Sequence, residues 1–180
     1  MYFRLLLITL IYSLTFIVGI NDSYSQEDIS PLDYLLQQEK KFKETKGEVP
    51  LGRVMTIHYP AYAVDIDEKY HPYILELTDI LKTPLRERYR LVLKGYSDNS
   101  GDAHDNLEIS VKRAETLKDI LVKKYYMDEE RISTEGYGES DPVATNDTQT
   151  GRMLNRRVEI YIFGDVSQAV RFIELGEEKK

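Results

Sequence analysis

Apolar residues along this chain switch between two spacings, and the switches mark out its elements. Arg53 to Tyr59 alternates, with Val54, Thr56 and His58 on one side and Met55, Ile57 and Tyr59 on the other, which predicts a strand that Pro60 closes. From Glu68 to Lys82 the steps lengthen to three and four: Tyr70, Tyr73, Ile74, Leu77, Ile80 and Leu81 form the stripe of an amphipathic helix, stopped at Thr83-Pro84. Alternation returns over Arg88 to Ser97 and runs into the turn residues Ser97 to Asp102. A long helix follows, capped by Asp105 or Asn106 and ending near Tyr125, with Leu107, Val111, Ala114, Leu117, Ile120 and Leu121 facing inward. Arg131 to Tyr137 reads as a third strand, Gly138 to Gly151 as a long polar loop, and Val158, Ile160 and Ile162 alternate with Glu159, Tyr161 and Phe163 in a last strand.

Strand, helix, strand, helix, strand, strand is an α/β order. It predicts a two-layer sandwich, a mixed four-stranded βαβαββ sheet with its helices on one face. Upstream, Ser30-Pro31-Leu32-Asp33 is a helix start, with Ser30 as N-cap, and the helix should reach about Thr45 before Gly47 ends it. Its few apolar positions, Leu32, Leu35, Leu36 and Phe42, predict a solvated spacer over 26–50 that docks weakly. The domain proper is expected over 51–164, and 165–180 as a charged tail.

The first 25 residues are read as an address. Arg4 precedes an apolar stretch from Leu5 to Ile20, and Ser23 and Ser25 supply small residues for cleavage, the pattern of a secretory signal. The stretch is 16 residues, short of the roughly 20 that a membrane span needs. Cleavage is the preferred reading and a retained inner-membrane anchor the alternative. Either way the chain is exported.

Charge and composition then narrow the function. With 24 Lys and Arg against 31 Asp and Glu the net charge is −7, which disfavours nucleic acid as a partner. The absence of cysteine removes disulfides, thiolate metal sites and a cysteine nucleophile. The three histidines, His58, His71 and His104, have no helical metal-ligand spacing. No HExxH or GxSxG occurs, so a cell-wall hydrolase lacks its machinery. Asp98, Ser100 and Asp102 alternate as in a calcium loop, yet Gly101 is fourth and Ile109 twelfth where Gly should be sixth and Glu twelfth. A proton-conducting stator needs an ionisable residue in its span, and Leu5 to Ile20 has none. The prediction is a binding module with no catalytic residues, no metal and no cofactor.

Four motif blocks carry a family resemblance. They are Gly95-Tyr96-Ser97-Asp98-Asn99-Ser100-Gly101, then Asn106 through Arg113-Ala114, then Gly136-Tyr137-Gly138-Glu139-Ser140-Asp141-Pro142, then Asn146 and Gly151-Arg152 to Asn155-Arg156-Arg157-Val158-Glu159. In this order they resemble the C-terminal domain of outer-membrane protein A (OmpA), shared by peptidoglycan-associated lipoprotein and flagellar stator proteins, from about Thr56 to Phe163.

The resemblance implies non-covalent binding of peptidoglycan through the diaminopimelate of its stem peptide. Diaminopimelate offers an ammonium and a carboxylate at one end, so its receptor needs an anion and a planar cation a fixed distance apart. The family's loop aspartate matches Asp98, its helix arginine matches Arg113, and the first arginine of its final motif matches Arg156. On the residues alone, Arg156 and Arg157 fit a structural ion pair with Glu159 as well as they fit ligand contact. Ser97, Asn99, Asn106, Ser110 and Arg157 are expected in support, Asn106 and Ser110 through capping and local hydrogen bonds. The family usually has His and Thr where Tyr96 and Ser97 stand, and its pocket-shaping segment after the first strand is replaced here by Tyr59-Pro60-Ala61-Tyr62-Ala63-Val64-Asp65. The implied setting is the periplasm of a Gram-negative envelope, associated with wall or outer membrane, with other envelope proteins as further partners. The rival is an OmpA-like fold used only for protein contacts, through a surface drawing on 14 tyrosines and no tryptophan.

Overall fold

The computed structural model describes residues 30–166. The expected leader and the tail from 167 onward lie outside the described residues.

Helix α1 spans Pro31–Lys41, with Ser30 Oγ accepting from the Asp33 backbone N–H and Lys40 and Lys41 at its negative end. It stops short of Thr45, and it is not a loosely held spacer. Leu35 and Glu39 have no exposed surface, and Leu35 belongs to the same core as the sheet. Strand β1, Glu48–His58, starts before the expected Arg53. Pro50 and Gly52 obscure it in the sequence, and register shifts beside both Gly52 and Arg53 let it keep pairing past them. The expected spacer over 26–50 is thus replaced, within the described residues, by a docked helix and a strand end.

A short 3-10 turn at Glu68–Tyr70 leads into α2, His71–Leu81, and β2 follows at Arg90–Gly95. Helix α3 runs Ala103–Lys123, and its cap is Asp102, whose Oδ1 accepts from the His104 N–H. The cap therefore lies upstream of the expected Asp105 or Asn106; Asp105 falls in the first turn instead. Strand β3 is Ile132–Gly136. The expected polar loop to Gly151 is interrupted by α4, Gln149–Asn155, whose start is capped by Thr148 Oγ1 accepting from the Gly151 N–H. At 7 residues it is too short to show a helical period. Strand β4 is Arg157–Asp165.

The sheet order is β1-β4-β2-β3, with β4 antiparallel to both neighbours and β2 parallel to β3. Leu91, Leu93, Ile160 and Ile162 point to the layer where Leu35, Ile74, Leu77, Leu81, Ala114, Leu117 and Leu121 of the helices pack. This is the two-layer α/β sandwich that the periodicity predicts. Among the described residues no helix is long and apolar enough to cross a membrane.

One close approach sets the position of the site. A Cβ on Gly95 would stand 2.0 Å from the carbonyl oxygen of Ser110. Only glycine lets α3 settle this near the end of β2. That seats the turn of α3 bearing Arg113 beside the loop that leaves β2. The end of β1, the end of β2 and the start of β4 all reach the same rim, since Gly95 pairs with Val158 and His58 with Arg157.

Candidate functional site

At that rim a cavity of about 270 Å³ is lined by Ala61, Tyr62, Ser97, Asp98, Ser100, Asn106, Ile109, Arg113, Gln149, Arg152 and Arg156. Five of the eight residues singled out in the sequence meet there: Ser97, Asp98, Asn106, Arg113 and Arg156. Asn99, Ser110 and Arg157 do not line it.

Arg113 is the most constrained. Its guanidinium is almost fully buried, donating from Nε to the Ala63 carbonyl at 2.8 Å, from Nη1 to Tyr96 O at 3.2 Å and from Nη2 to Pro60 O at 3.3 Å. The Tyr59 ring lies 5.1 Å from its carbon. The segment Tyr59 to Ala63 is therefore the cradle of this cation. Burial pulls its pKa down to about 10, so it stays charged at neutral pH. A guanidinium has five N–H groups, and these three bonds leave one on each terminal nitrogen.

Asp98 sits in the turn after β2. Its Oδ1 accepts from the Ser100 N–H at 2.9 Å, and Oδ2 accepts from Arg156 Nη1. Arg156 in turn donates from Nε to Tyr59 O at 3.0 Å. The carboxylate is thus paired with Arg156, not with Arg113. Burial works to raise its pKa, but the Ser100 N–H and Arg156 outweigh it and hold Asp98 below the ordinary carboxylate range. A depressed folded pKa means that the stabilisation is complete above the unfolded value, about 3.9, and is lost as pH falls through the folded one. The melting temperature of wild type should therefore exceed that of Asp98→Asn at pH 7, with the gap closing below about pH 4. A gap that is unchanged at pH 2.5 would contradict this account.

The remaining expected residues take other places. Ser97 Oγ is buried with no hydrogen-bond partner among the described residues. Asn106 donates to Glu139 Oε2 at 2.8 Å. Ser110 Oγ donates to Leu107 O and accepts from the Gly138 N–H, joining α3 to the loop after β3. The Asn99 N–H meets Asn146 Oδ1 at 3.4 Å. Arg157 is buried, bonded to Glu159 at 2.9 Å and stacked 3.8 Å from the Tyr96 ring. The ion pair with Glu159 is thus present, and Glu159 Oε1 also accepts from Arg53 Nη1 at 2.7 Å.

Two further residues were not singled out. Arg152 lines the cavity and donates from Nη1 to Asn146 O at 2.6 Å. Its signal was available: it precedes Arg156 by four residues, neighbours on a helix, had α4 been recognised. Asn155 has no exposed surface, and its Oδ1 accepts from the Val143 and Ala144 N–H groups while Nδ2 donates to Ala144 O and Asn146 Oδ1. It shapes the loop that carries Asn146.

Residues 62–156 match the model of the OmpA family. The chain is 31% identical over 121 residues to outer membrane protein Omp38 of Acinetobacter baumannii, covering 67% of this chain and 33% of that protein. It is 40% identical over 73 residues to peptidoglycan-binding protein ArfA of Mycobacterium tuberculosis, covering 41% and 22% respectively. The chain thus spans about a third or less of the length of these two relatives. Its fold is that of the C-terminal domain of Helicobacter pylori MotB, with a TM-score of 0.56 at 24% identity over 69% of this chain and 96% of that one.

Proposed function

Because this chain belongs to the OmpA family, we propose that it binds peptidoglycan non-covalently and tethers part of the cell envelope to the wall, recognising the diaminopimelate of the stem peptide. The observation that carries the reading is that Asp98 and Arg113 line one cavity with unused hydrogen-bonding capacity on both. An ionised carboxylate offers about four lone-pair sites, and Asp98 uses two, so a ligand ammonium can join without expelling Arg156. The free N–H groups on the two terminal nitrogens of Arg113 suit the two oxygens of a carboxylate. The buried Ser97 hydroxyl lacks a partner, and a ligand group that supplied one would recover a cost of about 1 to 3 kcal/mol.

Non-covalent capture by two charged side chains calls for no catalytic group, and none is assigned. ArfA is by name a peptidoglycan-binding protein and Omp38 an outer-membrane one, which supports an envelope setting.

The test is co-sedimentation of the chain with diaminopimelate-type sacculi at low and high salt. Retention is expected at about 50 mM salt and a marked loss near 500 mM, where the Debye length has shrunk about threefold. Failure to pellet at low salt would sink the wall-binding reading, and retention indifferent to salt would sink the ion-pair mechanism.

A further inference from the structure

The cavity holds three guanidiniums, Arg113, Arg152 and Arg156, and one carboxylate, Asp98. The sum is +2 on a chain whose net charge is −7. Asp98 neutralises Arg156. Arg113 and Arg152 form no ion pair with a carboxylate among the described residues; both bond only to backbone carbonyls. A diaminopimelate centre contributes one ammonium and one carboxylate and so leaves that excess where it was. Positive charge held in a partly enclosed cavity is stabilised by an anion, and a planar guanidinium anchored at one nitrogen presents its others in fixed directions. The bond to Asn146 O anchors Arg152 in this way.

We propose that Arg152 is a specificity-determining residue that binds a second free carboxylate on the same stem peptide, one residue from the diaminopimelate centre. This inference rests on the diaminopimelate reading above and extends it. Two carboxylates of a stem peptide qualify chemically: that of the glutamyl residue before diaminopimelate and the C-terminal one of the alanine after it. Amidation of the one that Arg152 holds removes its charge, so the domain discriminates between modified and unmodified walls.

The experiment is calorimetric titration of the full chain and of Arg152→Gln with three synthetic stem peptides: the parent, the glutamyl amide and the C-terminal amide. Arg113→Lys serves as the control for the primary site. Arg152→Gln is expected to bind the parent about tenfold more weakly while melting within about 2 °C of wild type, since the Arg152 side chain is only half-buried and, among the described residues, makes a single hydrogen bond, to Asn146 O. One of the two amides should lose the same tenfold on wild type and lose nothing further on Arg152→Gln, which identifies the carboxylate. Wild type binding all three peptides alike overturns the inference alone, as does Arg152→Gln binding the parent as tightly as wild type does. A loss on mutation that neither amide reproduces also overturns it, because Arg152 then acts through the loop. Parent peptide that does not bind wild type overturns the diaminopimelate reading and this one with it.

Discussion

Asp98→Ala and Arg113→Lys are each expected to weaken stem-peptide binding by roughly 100-fold, about 3 kcal/mol, because the first removes the charge that pairs with the ligand ammonium and the second removes the planar fork that holds the ligand carboxylate. The choice of lysine is deliberate. Arg113→Ala would leave the carbonyls of Pro60, Ala63 and Tyr96 without their donor. Buried acceptors left unmade cost about 1 to 3 kcal/mol apiece, enough to confuse loss of binding with loss of fold. Lysine keeps a charge and can serve part of that cradle, but a point ammonium cannot hold two ligand oxygens in a plane while keeping three other bonds. Asp98→Asn separates two roles of the loop aspartate. It preserves an acceptor for the Ser100 N–H and removes the charge that an ammonium requires. Sedimentation with sacculi reads the binding and far-ultraviolet circular dichroism the fold. If Asp98→Asn pellets as wild type does, Asp98 serves only to hold Arg156, and the ammonium is bound elsewhere.

The second large effect concerns stability. Glu39→Ala is expected to cost about 3 to 5 kcal/mol, a fall in melting temperature of roughly 10 °C. Glu39 accepts from Arg86 Nε at 2.7 Å and Nη2 at 3.0 Å, and from the Tyr89 hydroxyl at 2.9 Å. The carboxylate has no exposed surface and the arginine side chain is 9% exposed, so removing the acid strands a buried cation. Burial, and then the charge of Glu39, push the Tyr89 phenol upward, so it remains a donor at any physiological pH. Replacing Glu39 and Arg86 together by methionine should recover most of the loss, since the penalty comes from the unpaired charge. Urea denaturation of the three proteins measures this. A single-variant cost below about 1 kcal/mol would mean that α1 does not dock as described, because an exposed ion pair is worth no more than that.

Glu39 also illustrates what the chain conceals. In sequence it stands among Gln37, Gln38, Lys40 and Lys41, and its neighbours argue for a solvated face. Its partners come 47 and 50 positions later. Strand β1 is hidden differently: Pro50 and Gly52 are poor strand residues, held there by antiparallel pairing with Phe163 and Ile162 of β4 and by the burial of Val49 and Leu51 beside them. Helix α4 fails on length alone.

What the sequence determined by itself was everything carried by local repetition: the alternation of three of the strands, the two amphipathic helices, read there as Glu68 to Lys82 and as Asp105 or Asn106 to about Tyr125, the two-layer architecture, and motif blocks ordered as the family orders them. It also placed Asp98 in the turn before α3 and Arg113 on that helix, whereas their meeting at one rim needs α3 packed against the end of β2. Which charge meets which was decided only by the tertiary structure. Arg156 reaches Asp98 across 58 positions, Arg53 reaches Glu159 across 106, and Arg113 is fixed by carbonyls 50 and 53 positions upstream. Hydrophobic periodicity records how a residue faces its own element, whereas an ion pair depends on the distance between elements. That distance is set by packing, here by a glycine at 95 small enough to let α3 close on the sheet.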